Sequence, residues 1–385
     1  MVLHNLYIMP SGRVQSVQVS NGNITAIGNA VAGDKMHLEF DDVIAFPGLI
    51  NSHDHLDFNL FPQLGNRIYN NYVEWGDDIH VQNKQAIAAV LQIPQQLRTQ
   101  WGVYKNLLNG ITTVVNHGQH LQVDMKPLIN VWQNCYSIHS VKLGGRWQTM
   151  LINPLKRKWP FVIHVGEGTD KGAHDEINQY IKTNIFKRKT IAVHGVAMDA
   201  KQAKAFAALV WCPDSNYFLV GETADINTLK HHTNIVFGTD SALSASWSIW
   251  DQLRIAMGTG KVTQEDLFNM VTTTPAKVWN MPSHGEIAAG KVADIVVAKR
   301  RLTATGMDGF FALTPQEILL VIQRGEIRFF DETLLKQLKQ AGFNIAGFST
   351  ISLMDSIKYV EGDLPRLMKE ISKYHPTKNF PVNAW

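Results

Sequence analysis

Along residues 1–46, apolar and polar positions alternate in short runs. Val14 to Val19 keeps a period of two, Asn21-Gly22-Asn23 turns the chain, and Ile24 to Ile27 resumes it, the pattern of short strands joined by tight turns. From about residue 43 the pattern changes. Short runs rich in β-branched residues alternate with segments of helical period, which predicts a βαβ series with a parallel sheet. Strands are expected at Val43 to Ile50, Ile111 to Val115, Tyr136 to Val141, Phe161 to Val165, Ile191 to Val193, Leu209 to Cys212 and Ile235 to Phe237. Helices are expected over Lys84 to Leu108, Glu176 to Ile185, Asp199 to Leu209 and Trp250 to Met257. That gives seven strands, and the stretch from Gln119 to Trp159 is compressed. One βα unit of an eight-fold barrel is therefore expected to be short or missing there.

After a helical stretch near Glu265 to Trp279, strand-like runs return at Gly285 to Ile287, Ala293 to Ala298 and Glu317 to Phe330. The expected fold class is α/β: a distorted TIM (β/α)8-like barrel over residues 47–284. A small β-sandwich would be built from residues 1–46 and 285–330. Residues 331–385 fit neither part; they read as a helix near Thr333 to Ala341 followed by a mixed tail. A barrel of this kind needs about 250 residues, and 385 residues with 45% hydrophobic side chains leave room for a second domain.

Charge adds little. Thirty-six basic and 33 acidic residues leave a formal net charge of +3 with no long Lys/Arg run, which gives no footprint for nucleic acid or anionic lipid. No run of about 18 consecutive apolar residues suggests a membrane span. Two cysteines, Cys135 and Cys212, both in apolar surroundings, cannot make a disulfide framework and read as buried free thiols. With no basic-then-apolar leader at the start, the expectation is a reducing, cytoplasmic setting.

The chemistry gathers at strand ends. His53-Asp54-His55 directly follows the apolar run from Val43 to Ile50, and residues two apart on a strand share a side. Two imidazoles could thus meet one ion of the zinc or iron type. His164 ends Phe161-Val162-Ile163, His194 ends Ile191-Ala192-Val193, and Asp240 ends the run from Ile235 to Thr239. Any one of these reads equally as a satisfied structural residue. Together they favour one shared site at the C-terminal rim of a barrel.

On these residues the chain resembles the amidohydrolase superfamily, in particular its cytosine-deaminase-like and triazine-hydrolase-like branch. His53-x-His55 and Gly238-Thr239-Asp240-Ser241 carry the resemblance, with Phe46-Pro47-Gly48-Leu49-Ile50-Asn51-Ser52 as the approach to the first ligands. Cys212-Pro213-Asp214-Ser215-Asn216, Thr274-Pro275-Ala276-Lys277 and Gly290-Lys291-Val292-Ala293-Asp294 extend it, so that it runs from about residue 3 to 330. The resemblance implies one divalent metal ion, zinc or iron, held by His53, His55, His164 and Asp240. A bridging carboxylated lysine is not placed convincingly; Lys142 is the nearest candidate.

The catalytic set implied is Asp240, His194 and Glu167. Asp240 would hold the ion and take the proton of the water that the ion converts to hydroxide. His194 would orient that water or stabilise developing charge. Glu167, three residues past His164, would pass a proton to the ring nitrogen or leaving amine of a small heterocyclic substrate. Phe58, Trp75, Arg146 and Asn216 are the candidate substrate contacts, where aromatic faces and a guanidinium would suit a flat, anionic ligand. Core packing is an equal reading for the aromatics. His117, His120, His139 and His174 match no family position and read as ordinary hydrogen-bonded histidines. The expected reaction is hydrolysis of a non-peptide C–N bond, as deamination. Hydrolytic removal of an amine or halide from a ring is the alternative, and a catalytically inactive scaffold is a third. The resemblance also implies a homo-oligomer, although no interface is legible.

Overall fold

A computed structural model describes residues 1–29, 36–122, 127–301 and 306–384. Eight strands carry the site: β1 (Leu49–Asp54), β2 (Ile111–Asn116), β3 (Asn130–Trp132), β4 (Tyr136–Ser140), β5 (Phe161–Val165), β6 (Thr190–His194), β7 (Ala208–Trp211) and β8 (Asn234–Phe237). They form two parallel sheets, β1–β2–β3 and β4–β5–β6–β7–β8. The strand not expected is β3. Its three residues are too few to show a period, and only residues 133–135 separate it from β4. Among the described residues, no backbone ladder joins β3 to β4 or β8 to β1. At the second gap a single hydrogen bond runs from Asp240 N to His53 O at 3.0 Å.

The helices follow local signals, with corrections. Pro94 breaks the expected long helix into Lys84–Leu91 and Gln95–Leu108, since proline cannot continue a helix from within. Asp170 and Asp199 cap helices Lys171–Thr183 and Ala200–Ala203, the latter through a capping box with Gln202. Helix Ala200–Ala203 is far shorter than expected, because Ala208 to Trp211 is drawn into β7. Along β5 the pleat divides the side chains. Phe161, Ile163 and Val165 join the main core, whereas Val162 joins a second cluster with Val115, Val193, Val210 and Val236. His164 falls on the Val162 side.

The terminal segments meet in one continuous mixed sheet of eleven strands. Its order is Asn383–Ala384, Phe348–Leu353, Ser356–Glu361, Glu326–Asp331, Ile318–Gln323, Ile295–Lys299, Val43–Pro47, Val2–Ile8, Arg13–Ser20 and Asn23–Gly28, with His37–Glu39 beside Val2–Ile8. Residues past 331, which fitted neither expected part, supply three of these strands. They also supply helix Leu364–Tyr374, which packs on Gln95–Leu108. One sheet face (Ile44, Phe46, Val296, Val321, Phe329) faces the main core, and the other (Val43, Ala45, Ile295, Val297, Leu320, Ile322) has a core of its own.

The apolar run from Val43 to Ile50 is two strands rather than one. Val43–Pro47 pairs in the terminal sheet, and after Gly48 the chain continues as β1 beside β2. A Cβ at Gly48 would collide with the Thr112 side chain. The crossing therefore needs glycine for close approach.

Candidate functional site

His53, His55, His164 and Asp240 converge. His164 Nε2 lies 3.2 Å from His53 Nε2 and 3.4 Å from His55 Nε2. Asp240 Oδ1 lies 3.7 Å and 3.8 Å from those same two nitrogens. Two donor groups result, His53–His55–Asp240 and His53–His164–His194, each with its ligand atoms within 4.8 Å of one another. The tautomer of His164 is fixed from behind: its Nδ1 donates to the His139 carbonyl at 2.7 Å, leaving the Nε2 lone pair toward the cluster. Burial drives the imidazoles of His53 and His164 well below the usual histidine range, and the neighbouring imidazoles add to that. Buried neutral nitrogens facing one another beside a carboxylate are a donor set that fits a divalent cation.

Asp240 is held in place. Its Oδ2 accepts from Ser215 Oγ at 2.8 Å and Ser244 Oγ at 3.0 Å, and its Oδ1 accepts from Ser241 N at 2.8 Å. Burial works to raise its pKa, but His55, His194 and the two hydroxyls outweigh it, and the net direction is down. Asp240 and His194 both take left-handed backbone, with φ of 52° and 69°. Strain of this kind persists where the surroundings over-determine it, and it is common at working sites.

His194 donates from Nδ1 to Asn216 Oδ1 at 2.9 Å, so its Nε2 points into the site, 3.6 Å from Glu167 Oε1. Glu167 is buried between Gly166 and Gly168. Its carbonyl accepts from Tyr72 N, and a Cβ at Gly168 would come within 2.7 Å of Asn71 Cβ. Glu176 holds the same loop, with Oε1 accepting from Gly166 N at 2.8 Å and Oε2 from Tyr72 OH at 3.0 Å. Burial, then Asp240 and Glu176, push the Glu167 carboxyl well above the usual carboxylate range.

Behind the ligands lies a buried latch. Lys105 Nζ contacts Asp54 Oδ2 at 3.3 Å and Asn59 Oδ1 at 2.8 Å, and reaches Thr239 Oγ1 and Asp240 O at 3.4 Å. Asn51 Oδ1 accepts from Thr239 N at 3.0 Å, and Asn106 Nδ2 donates to Asp54 Oδ2 at 2.8 Å. The latch ties the chain that bears His53 and His55 to the loop that bears Asp240.

A cavity of about 180 Å³ opens on the ligands. Tyr72, Trp75 and Ile79 line it from helix Tyr72–Gln82, positions i, i+3 and i+7 on one face. Phe58 also lines it, stacked on His55 with centroids 5.5 Å apart. Two expected substrate contacts are corrected. Arg146 is exposed in left-handed backbone just before helix Trp147–Ile152 and is absent from the lining. Asn216 is spent on His194 and also does not line the cavity. Lys142 lies outside both donor groups and lines a neighbouring hollow with Glu176 and Asp77.

The histidines set aside by sequence divide. His117 is buried with neither ring nitrogen hydrogen-bonded, 4.4 Å from His164 between centroids, so the expectation of an ordinary partnered histidine fails there. His139 lines the cavity. His174 is a surface residue beside Asp175 and Asp199. Sequence reading also missed Lys105, although it sits with Arg98 and Trp101 on an otherwise apolar helix stripe. A cation in such a stripe is the signal that could have found it.

Strand-end histidines and an aspartate on parallel β/α units thus form a donor set that could hold a metal ion. Residues 155–328 match the model of the amidohydrolase family. Mouse guanine deaminase (Mus musculus) is 23% identical over 188 residues, 44% of this chain and 41% of that protein. The chain thus spans about two fifths of that relative's length. The 5-methylthioadenosine/S-adenosylhomocysteine deaminase of Caldanaerobacter subterraneus subsp. tengcongensis is 23% identical over 347 residues, 73% of this chain and 79% of that protein. Among solved structures, a zinc-bound adenosine deaminase from Xanthomonas campestris superposes with a TM-score of 0.69 at 17% identity, covering 89% of this chain and 97% of its own. The similarity to the amidohydrolase family thus rests on residues 155–328, somewhat under half of the chain. No helix among the described residues is long and apolar enough to cross a membrane.

Proposed function

We propose that this protein is a metal-dependent hydrolase that deaminates a small heterocycle, cleaving a C–N bond that is not a peptide bond. One observation carries the reading: His53, His55, His164 and Asp240, from three distant strand ends, bring their donor atoms together beside one cavity, which all but His53 line. The scaffold is read as a distorted barrel of β1–β8, with residues 47–284 as its extent and the terminal sheet as a second layer. The deaminases among the similar proteins support the same reaction class.

His53, His55, His164 and Asp240 would hold one ion, zinc or iron. When bound, such an ion lowers the pKa of water enough to supply a nucleophile near neutral pH. Asp240, oriented by Ser215 and Ser244, takes the proton of the attacking water through Oδ1. His194, fixed through its Nδ1 by Asn216, presents the lone pair of Nε2 to orient the attacking water. Glu167, kept protonated by burial, delivers its proton to the ring nitrogen; Asp240 passes the water's proton to the departing amine, and the proton of the added hydroxyl returns to Glu167 as the carbonyl forms.

The test is metal content and ammonia release from metal-reconstituted protein with a panel of amino-heterocycles. Turnover should vanish in Asp240→Asn and His55→Ala, with the fold intact by circular dichroism. Glu167→Gln should retain the metal and lose about 10²–10⁴-fold in kcat. Normal turnover in either ligand variant would reject the assignment.

A further inference from the structure

One imidazole beside the proposed ligands has no part in the reading above. His117 directly follows β2, and its main-chain N–H donates to Asp54 O at 2.9 Å, so its backbone is registered on the residue between His53 and His55. The residue is 3% exposed, and neither ring nitrogen has a hydrogen-bond partner. Two neighbouring rings are tied from behind, His164 through Nδ1 to His139 O and His194 through Nδ1 to Asn216 Oδ1. A histidine that only filled space would leave two polar atoms buried and unpaired, a cost that phenylalanine avoids.

The rings of His53, His55 and His164 have centroids 4.9, 5.0 and 5.3 Å apart, and the His117 ring lies 5.1, 5.3 and 4.4 Å from the same three. Four rings thus stand at the corners of a nearly regular tetrahedron. Its centre falls about 3 Å from each centroid, and an imidazole bound to zinc at about 2.0–2.1 Å also has its centroid about 3 Å from the ion. The nitrogens of His117 lie outside both donor groups. A half-turn about Cβ–Cγ exchanges Nδ1 with Cδ2 and Nε2 with Cε1 within the same envelope, and no hydrogen bond opposes it. Resting on the hydrolase reading above, we infer that His117 is a fifth protein donor to the proposed ion, beside His53, His55, His164 and Asp240. His117 does not line the cavity, so its bond leaves the cavity side open to water. Five protein donors and one water fill a six-coordinate site, which suits iron better than the four-coordinate habit of zinc.

The experiment exchanges the metal of the whole chain for Co²⁺ and counts the bound imidazoles by X-ray absorption. The wild type should show four rings on cobalt, and His117→Phe and His117→Gln should each show three. Cobalt affinity, read by chelator competition, should fall at least about tenfold in His117→Phe, while its melting temperature without metal stays level or rises. Three rings in the wild type, or an unchanged count or affinity in a folded variant, would overturn the inference. If His117→Phe does not fold, His117→Gln decides by the same count. Four rings falling to three, with no ammonia from any amino-heterocycle, would instead count against the hydrolase reading and leave the ligand assignment standing. Three rings with ammonia released would do the reverse, and no uptake of cobalt would overturn both.

Discussion

Two buried lysine–aspartate pairs occupy the two halves of the molecule, and they are built differently. In the terminal sheet, Lys358 Nζ meets Asp331 Oδ2 at 2.7 Å and donates to the carbonyls of Gln316 and Ile318 at 2.6 and 2.8 Å. Its partners are mostly main chain, at the start of one strand. Beneath the ligands, Lys105 meets Asp54 at the longer distance of 3.3 Å and spreads its remaining contacts over Asn59, Thr239 and the Asp240 carbonyl. The first pair satisfies a fold; the second ties together segments that carry chemistry. Burying a charge pair is a weak way to gain stability. A loose pair under the proposed metal-binding floor is better explained by placement than by energy.

That contrast can be broken in three ways. Lys358→Met should cost about 3–5 kcal/mol by leaving Asp331 buried and unpaired, read from urea denaturation, with metal affinity of the folded fraction unchanged. Adding Asp331→Leu should recover most of the loss. Lys105→Met should lower metal affinity about 10–100-fold in a chelator competition; an unchanged affinity with only lowered stability would make both pairs structural and erase the distinction. The third test concerns Glu176, whose carboxyl burial raises to about 7 despite hydrogen bonds from Gly166 and Tyr72. An acid whose folded pKa is raised binds more protons folded than unfolded, so stability falls as pH climbs from about 4.5 to about 7 and is flat beyond. Glu176→Gln should remove a change on the order of 3 kcal/mol over that window, measured by denaturation at several pH values.

The proposed ligands were legible as candidates because each ends an apolar strand with a polar group, a pattern that local sequence carries in full. His53, His55, His164 and Asp240 needed no tertiary information to be nominated. What supports them was not legible, since it is assembled across distance: Lys105 lies 134 positions from Thr239, and Asn216 reaches His194 rather than the cavity. Arg146 misled for the converse reason. A Gly-Gly-Arg-Trp stretch looks like a binding loop, but its backbone turns the guanidinium outward while Trp147 goes inward. Strand β3 was too short to show a period. The passage from terminal sheet to β1 was hidden because both halves of Val43 to Ile50 are buried and apolar.

Gly48 has a wider consequence. Its amide bonds to Asp294 O, and Asp294 in turn accepts from Thr112 Oγ1 at the start of β2 and from Arg324 N in the terminal sheet. The polypeptide that begins as a sheet strand reaches, five residues after this glycine, His53, which we propose as a metal ligand. A cut at residue 47 would therefore sever a strut rather than separate two modules. Whatever occupies the donors lends its binding free energy to the distant layer as well, and addition or removal of metal should raise or lower the melting of both halves in concert.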